Sequence, residues 1–147
     1  MKRYAYAWLL AGLALAAPRV SQAQRQDTSR GSQVDLLQNY PNPFNPATTI
    51  PFRLSASLFQ SGQGPVVSLR IYNVLAQLVA IPSLQASGQR LDGVELECRE
   101  LLNGFCEFSA YWDRKYINSD REAASGVYVY QLIVNGRRTS RRMIVMK

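Results

Sequence analysis

The chain has 147 residues, with 17 Lys and Arg against 10 Asp and Glu, two cysteines and no histidine. Without histidine it lacks the usual general base, the Ser/His and Cys/His nucleophile pairs and the commonest metal ligand, so no enzyme, metal or cofactor is expected. No glycine-rich phosphate loop occurs, Cys98 and Cys106 are not spaced as a redox pair, and the charge of +7 forms no basic face interleaved with aromatics, which argues against nucleic acid.

Met1 to Ala23 reads as a secretory signal peptide. Lys2 and Arg3 give the positive start, Ala7 to Ala17 is an apolar stretch too short to span a bilayer, and Ser21-Gln22-Ala23 offers small residues for cleavage before Gln24. A retained membrane anchor is the alternative, and the same shortness argues against it and against any stable membrane span. No cysteine near the cleavage site supports a lipid anchor. The protein is therefore expected to be exported through the periplasm, towards the cell surface or the extracellular medium. Loss of Lys2, Arg3 and Arg19 leaves 14 basic against 10 acidic residues, a mild net charge of +4. The remaining chain of about 124 residues suits one domain, and the polar segment Gln24 to Gln33 reads as a flexible leader to it.

From Val34 to Lys147 the pattern is strand after strand. Val34 to Leu37 and Thr48 to Leu54 flank a loop with three prolines and three asparagines in the eight residues Asn39 to Pro46. Proline fixes φ and lacks a donor, while asparagine tolerates turn geometry, so this segment is neither helix nor central strand. It reads as a stiff loop between two strands, pinned by Tyr40 and Phe44; a proline-rich linker is the alternative. Ser55 to Pro65 is a loop. Val67, Leu69 and Ile71 then alternate with polar or half-polar neighbours, which places three aliphatic side chains on one buried face. Leu75-Ala76-Gln77 turns the chain into Leu78 to Ile81, which Pro82 stops.

Val94 to Cys98 and Phe105 to Trp112 are expected to pair, joined through Leu101-Leu102-Asn103-Gly104, because Asn-Gly favours a hairpin turn. Two cysteines across a hairpin of an exported protein point to a Cys98–Cys106 disulfide, closing a loop small enough to place its stabilisation at the lower end of the usual range. Glu95, Glu97 and Glu107 lie near the same hairpin. A two-carboxylate hydrolase is one reading of them, and solvation of a strand surface is the better one. Trp112 is the expected core aromatic, with an indole N–H in need of a partner. Asp113, Asn118, Asp120 and Glu122 follow; their spacing matches no defined calcium loop, and Arg114, Lys115 and Arg121 offset their charge.

Val127 to Val134 reads as a central strand, with Tyr128, Tyr130 and Leu132 on one face and Val127, Val129 and Ile133 on the other. Asn135-Gly136 turns it into a last strand, Arg138 to Met146. Arg137, Arg138, Arg141 and Arg142 form the one basic cluster. Strand alternation sends Arg141 and Arg142 to opposite faces, so solvated charge on an edge strand explains the cluster better than a polyanion site.

The run Leu37 to Leu54 resembles the opening motif of the type A C-terminal sorting domain of the type IX secretion system. Four further stretches are similar to that family's later motifs in the same order: Val67 to Val79, Trp112-Asp113, Ala124 to Leu132, and the basic-apolar close Arg141 to Lys147. The immunoglobulin-like domain of flagellar hook-assembly proteins is the nearest structural cousin that the resemblance suggests. Two positions where the family has glycine carry Ala76 and Arg114 here, which predicts a different turn at the first and a changed loop at the second. The cysteine-bearing insertion lies outside the family pattern.

Together these readings give an all-β, immunoglobulin-like antiparallel sandwich of about seven strands. The resemblance implies a non-catalytic sorting domain that directs export across the outer membrane. Its partners would be the type IX translocon and sortase, with surface lipopolysaccharide as an attachment point after processing. The implied determinants are Leu37, Asn39, Tyr40, Pro41, Asn42, Pro43, Phe44, Asn45 and Pro46, then Gly126, Val127 and Tyr128, and finally Arg142, Met143, Val145 and Lys147. Sorting domains normally follow a cargo, and only about ten residues separate the leader from Val34. A stand-alone secreted immunoglobulin-like binding or structural module is therefore the alternative, which an apolar patch around Leu101, Leu102 and Phe105 would favour.

Overall fold

A computed structural model describes residues 32–147. The expected signal peptide, 1–23, and the leader up to residue 31 lie outside the described residues. Ten strands follow in order: β1 Val34–Leu36, β2 Thr48–Ser55, β3 Val66–Tyr72, β4 Leu78–Ala80, β5 Ser83–Leu84, β6 Val94–Glu95, β7 Leu101–Leu102, β8 Phe105–Trp112, β9 Gly126–Val134 and β10 Arg137–Val145. Ten replace the expected seven or so because five of them are only two or three residues long. Such fragments carry too little alternation to be read as strands from sequence. The expected loop after β2 also begins with a short 3-10 turn, Ala56–Phe59.

The strands form two antiparallel sheets packed face to face. The first runs β1-β2-β8-β5, with β7 also on β8; the second runs β10-β9-β3-β4, with β6 also on β3. Alternation decides what lies between the sheets. Ile50, Phe52 and Leu54 of β2 and Ala110 and Trp112 of β8 face Val67, Leu69 and Ile71 of β3 and Tyr128, Tyr130 and Leu132 of β9, and all are buried. Burying each large apolar side chain contributes about 1.5–3 kcal/mol, so this interlayer is the main source of stability. Phe44, Trp112 and Tyr128 meet edge to face across it, with ring centroids 5.6 and 5.8 Å apart. Such geometry suits the ring quadrupoles. Among the described residues no helix is long and apolar enough to cross a membrane.

The expected β9–β10 hairpin forms across Asn135-Gly136, both with positive φ (47° and 81°), and β9 lies centrally between β10 and β3. The expected pairing of Val94 to Cys98 with Phe105 to Trp112 does not. Val94 and Glu95 pair with Val67 and Val66 of β3 in the second sheet, and only Leu101 and Leu102 turn back on β8, through Asn103-Gly104. The reason lies at Gly64, where an added Cβ would sit 1.8 Å from the carbonyl oxygen of Leu96. Its backbone comes close enough for Gly64 N to donate to Glu95 Oε1 at 2.7 Å and for Leu96 N to donate to Pro65 O at 3.1 Å. Cys98 and Cys106 are bonded, and this link ties the unpaired stretch after β6 back to β8. At the β3–β4 turn Ala76 has φ 59°, so the alanine keeps the left-handed geometry that the glycine of the resembled motif would supply, contrary to expectation. Asn73 holds it there: its side chain accepts from Leu75 N and Gln77 N, each at 3.0 Å.

Gly64→Ala is expected to destabilise the protein by about 2 kcal/mol or more, since backbone cannot yield to the new methyl as a flexible side chain would. Urea unfolding followed by tryptophan fluorescence measures it.

Candidate functional site

The proline loop leaves β1 at Leu37 and returns to β2 at Thr48, and at both ends it stays within the first sheet. Leu37 N donates to Pro51 O at 3.0 Å, and Tyr40 and Thr49 exchange backbone hydrogen bonds of 2.9 and 2.8 Å. The Tyr40–Pro41, Asn42–Pro43 and Asn45–Pro46 peptides are all cis. Asn39, only 2% exposed, braces the loop from within: its Nδ2 donates to Thr48 Oγ1 at 2.9 Å and to Pro41 O at 3.2 Å.

The loop then crosses to the second sheet and docks on the end of β10. Phe44 N donates to Ile144 O at 3.1 Å, Met146 N donates to Phe44 O at 3.0 Å, and Ile144 N donates to Asn42 Oδ1 at 2.9 Å. Phe44 thus acts as a one-residue strand, in a parallel bridge with Val145. Further back, Gln38 Nε2 donates to Arg142 O at 3.1 Å and Arg141 Nε donates to Leu36 O. Backbone groups on the open edge of β10, which would otherwise template association, are satisfied here by the protein's own loop.

Two side chains fasten this joint. The Tyr130 hydroxyl, reaching across from β9, donates to Leu37 O at 2.8 Å and accepts from Asn39 N at 3.1 Å. Burial pushes its pKa above the usual tyrosine value, while the Asn39 hydrogen bond and the nearby Arg141 charge pull the other way. Arg114 is 5% exposed and joins three segments: Nη1 donates to Asn45 Oδ1 at 3.1 Å and to Met146 O at 3.0 Å, and Nη2 pairs with Glu122. It sits at φ 67°, in the left-handed region where a glycine would carry no strain.

The residues singled out from sequence divide into two groups. Asn39, Phe44, Tyr128, Met143 and Val145 are buried and hold the site's shape. Tyr40, Pro41, Asn42, Pro43, Asn45, Pro46, Gly126, Val127, Arg142 and Lys147 are exposed, and Leu37 is half-buried. Tyr40 was expected to pin the loop, yet it is 58% exposed and only Phe44, 2% exposed, is docked. Sequence reasoning missed Arg114 as a member of the site and took Gln38, Thr48 and Tyr130 only as parts of the resembled stretches, without a role of their own. A tyrosine on the core face of a strand was the one available signal, since a buried hydroxyl must find a partner. The basic cluster behaves as alternation requires: Arg141 reaches across to Leu36, and Arg142 projects on the outer face, opposite Val129 and beside Ile144. The carboxylates after Trp112 are spoken for, Asp120 by Lys115 at 3.3 Å and Glu122 by Arg114. Trp112 Nε1 finds its partner in Lys115 O at 2.9 Å.

No protein-family model and no curated protein matches the chain. Among solved structures, it is similar to a Pseudomonas fluorescens alkylpurine DNA glycosylase, AlkC, bound to DNA containing an abasic site analog, with 17% identity and a TM-score of 0.47. The likeness covers 80% of this chain and 31% of the glycosylase, and at that level it carries no argument.

Tyr130→Phe is expected to cost about 1–3 kcal/mol, because Asn39 N is left buried without its acceptor. The stability held by the raised tyrosine pKa is complete below the ordinary value near 10 and is lost as pH rises from there through the folded value, because the unfolded chain gives up the proton first. A series of urea titrations into alkaline pH should therefore show a shallower decline for the variant than for the parent.

Proposed function

We propose that this domain is a non-catalytic sorting module, read by the type IX translocon and carried across the outer membrane to the cell surface or medium. In that reading the sortase is a downstream partner and surface lipopolysaccharide the attachment point. The supporting observation is that the two motif stretches furthest apart in the chain, Leu37 to Pro46 and Arg142 to Lys147, form one hydrogen-bonded unit. Recognition would then be of a shape. The unit presents an aromatic ring at Tyr40, a stiff proline ridge and the Arg142 charge, all held by a buried layer that needs no catalytic group.

A second reading, a secreted binding module, draws on the cysteine hairpin. Leu101 and Leu102 at its tip are 57% and 53% exposed, which fits the apolar patch expected there, although Phe105 is half-buried with the Arg53 guanidinium 5.2 Å above its ring.

A copy tagged after Gln24 should leave the periplasm of a type IX-competent host, remain in the periplasm when that apparatus is deleted, and stall in the competent host when β10 is trimmed. Because trimming can also unfold the domain, Tyr40→Ala with Arg142→Ala, both on the exposed surface, provides the parallel arm. An identical distribution in the two hosts would give the binding module precedence.

A further inference from the structure

The two open sides of the sandwich carry opposite charge. On one, where β1 approaches β10, Arg137 and Arg138 line the gap between the sheets. On the other, a cleft of about 490 Å³ opens between the second sheet at β6 and the first at β5, β7 and β8. Leu84, Val94, Leu96, Leu102 and Phe108 give it an apolar lining, and the Cys98–Cys106 bond holds its outer wall, the stretch after Leu96, against β8. Sheet edge is also available inside it. β7 covers β8 at Phe105 and Cys106, and β5 covers it at Ala110 and Tyr111, so Glu107 to Ser109 have no strand partner on that side, although Gln85 N donates to Ser109 O at 2.9 Å.

The rim of this cleft is acidic in a way the rest of the surface is not. Of nine described carboxylates, Asp35, Asp92, Asp120 and Glu122 are paired with a cation. Four of the remaining five, Glu95, Glu97, Glu100 and Glu107, line this one cleft, with Arg99 the only cation among its lining residues. The protein as a whole is basic, so this concentration runs against its composition.

We propose that the cleft is a docking site for an extended cationic segment of a partner protein, with arginine or lysine alternating with aliphatic residues. The period of two in an extended chain is what this geometry accommodates: alternate side chains enter the apolar gap between the sheets while their neighbours turn back to the carboxylate rim. Charge complementarity selects the basic partner, and the apolar lining distinguishes it from a free polyamine. The site is independent of the sorting surface, which lies on the opposite side of the molecule at β10.

The test uses the disulfide-bonded chain from Gln24 to Lys147 and a fluorescent synthetic peptide of alternating arginine and leucine, followed by anisotropy at low salt. Saturable binding is expected. It should fall by about tenfold or more in Glu97→Gln with Glu107→Gln, because two of the four rim carboxylates are gone, and similarly in Leu102→Ser. Neutralising the opposite side with Arg137→Gln and Arg138→Gln should leave it unchanged. The five substituted positions lie on the surface, and thermal melts confirm that each variant folds. An alternating glutamate and leucine peptide should not bind, and an arginine and serine peptide of equal charge should bind at least about tenfold more weakly. Equal binding of all three peptides, or binding indifferent to Glu97 and Glu107, would overturn the proposal and leave the carboxylates as guards of an open sheet edge. Two other results would reassign the occupant and equally overturn it. One is self-association of the free protein that Glu97→Gln with Glu107→Gln abolishes, which would name a second copy; the other is a tenfold gain on deleting Gln24 to Gly31, which would name the chain's own leader.

Discussion

Phe44 is hydrogen-bonded through its backbone to both Ile144 and Met146, and its ring packs against Trp112. One residue of a loop in the first sheet therefore serves as a strand of the second. Asn39 and Tyr130 keep the loop in the shape that delivers Phe44, and Arg114 keeps the chain ends beside it together. Without this joint the layers would be held by side-chain packing alone along this flank, and β10 would present its free edge to solvent. Buried polar groups in such a joint are costly if left single and stabilising only when all are paired. Around Tyr130 the partners interlock, since its hydroxyl satisfies both a carbonyl and an amide of the loop, whereas Arg114 leaves its Nε buried without a partner.

Much of the framework can be read from alternation. Val67, Leu69 and Ile71 on β3, and Tyr128, Tyr130 and Leu132 on β9, have the period of two that sets a buried face, and Asn135-Gly136 supplies a turn whose type matches strand twist. The disulfide is likewise legible, from cysteine spacing and the expectation of export. The placement of β6 is not. A two-residue strand has no pattern to read, and its partner is chosen by an omission, the missing Cβ of Gly64, which lets Leu96 approach.

The site is less legible than the fold because its members come from distant parts of the chain. Arg114 looks from sequence like one more surface cation beside Asp113 and Lys115, and its burial depends on acceptors contributed by Asn45, Met146 and Glu122. Tyr40 and Phe44 look equivalent, two aromatics among prolines. Only the parallel bridge to Val145 separates the docked ring from the displayed one. Ala76 and Arg114 show that a left-handed turn can persist without glycine where side-chain hydrogen bonds or burial hold it, at a strain of order 1 kcal/mol each.

The partners in this joint lie far apart along the polypeptide: Tyr130 is 91 positions from Asn39, Gln38 is 104 from Arg142, and Arg141 is 105 from Leu36. Contacts of such high sequence separation form late, since the loop entropy of bringing them together must be overcome before any is gained. A chain threaded from its amino end would thus expose the proline loop for most of its passage with nothing to dock against. Only when β10 arrives can Phe44 seat and the flank close. The domain therefore completes its tertiary structure at its last strand, and a molecule cut short there is left recognisably unfinished.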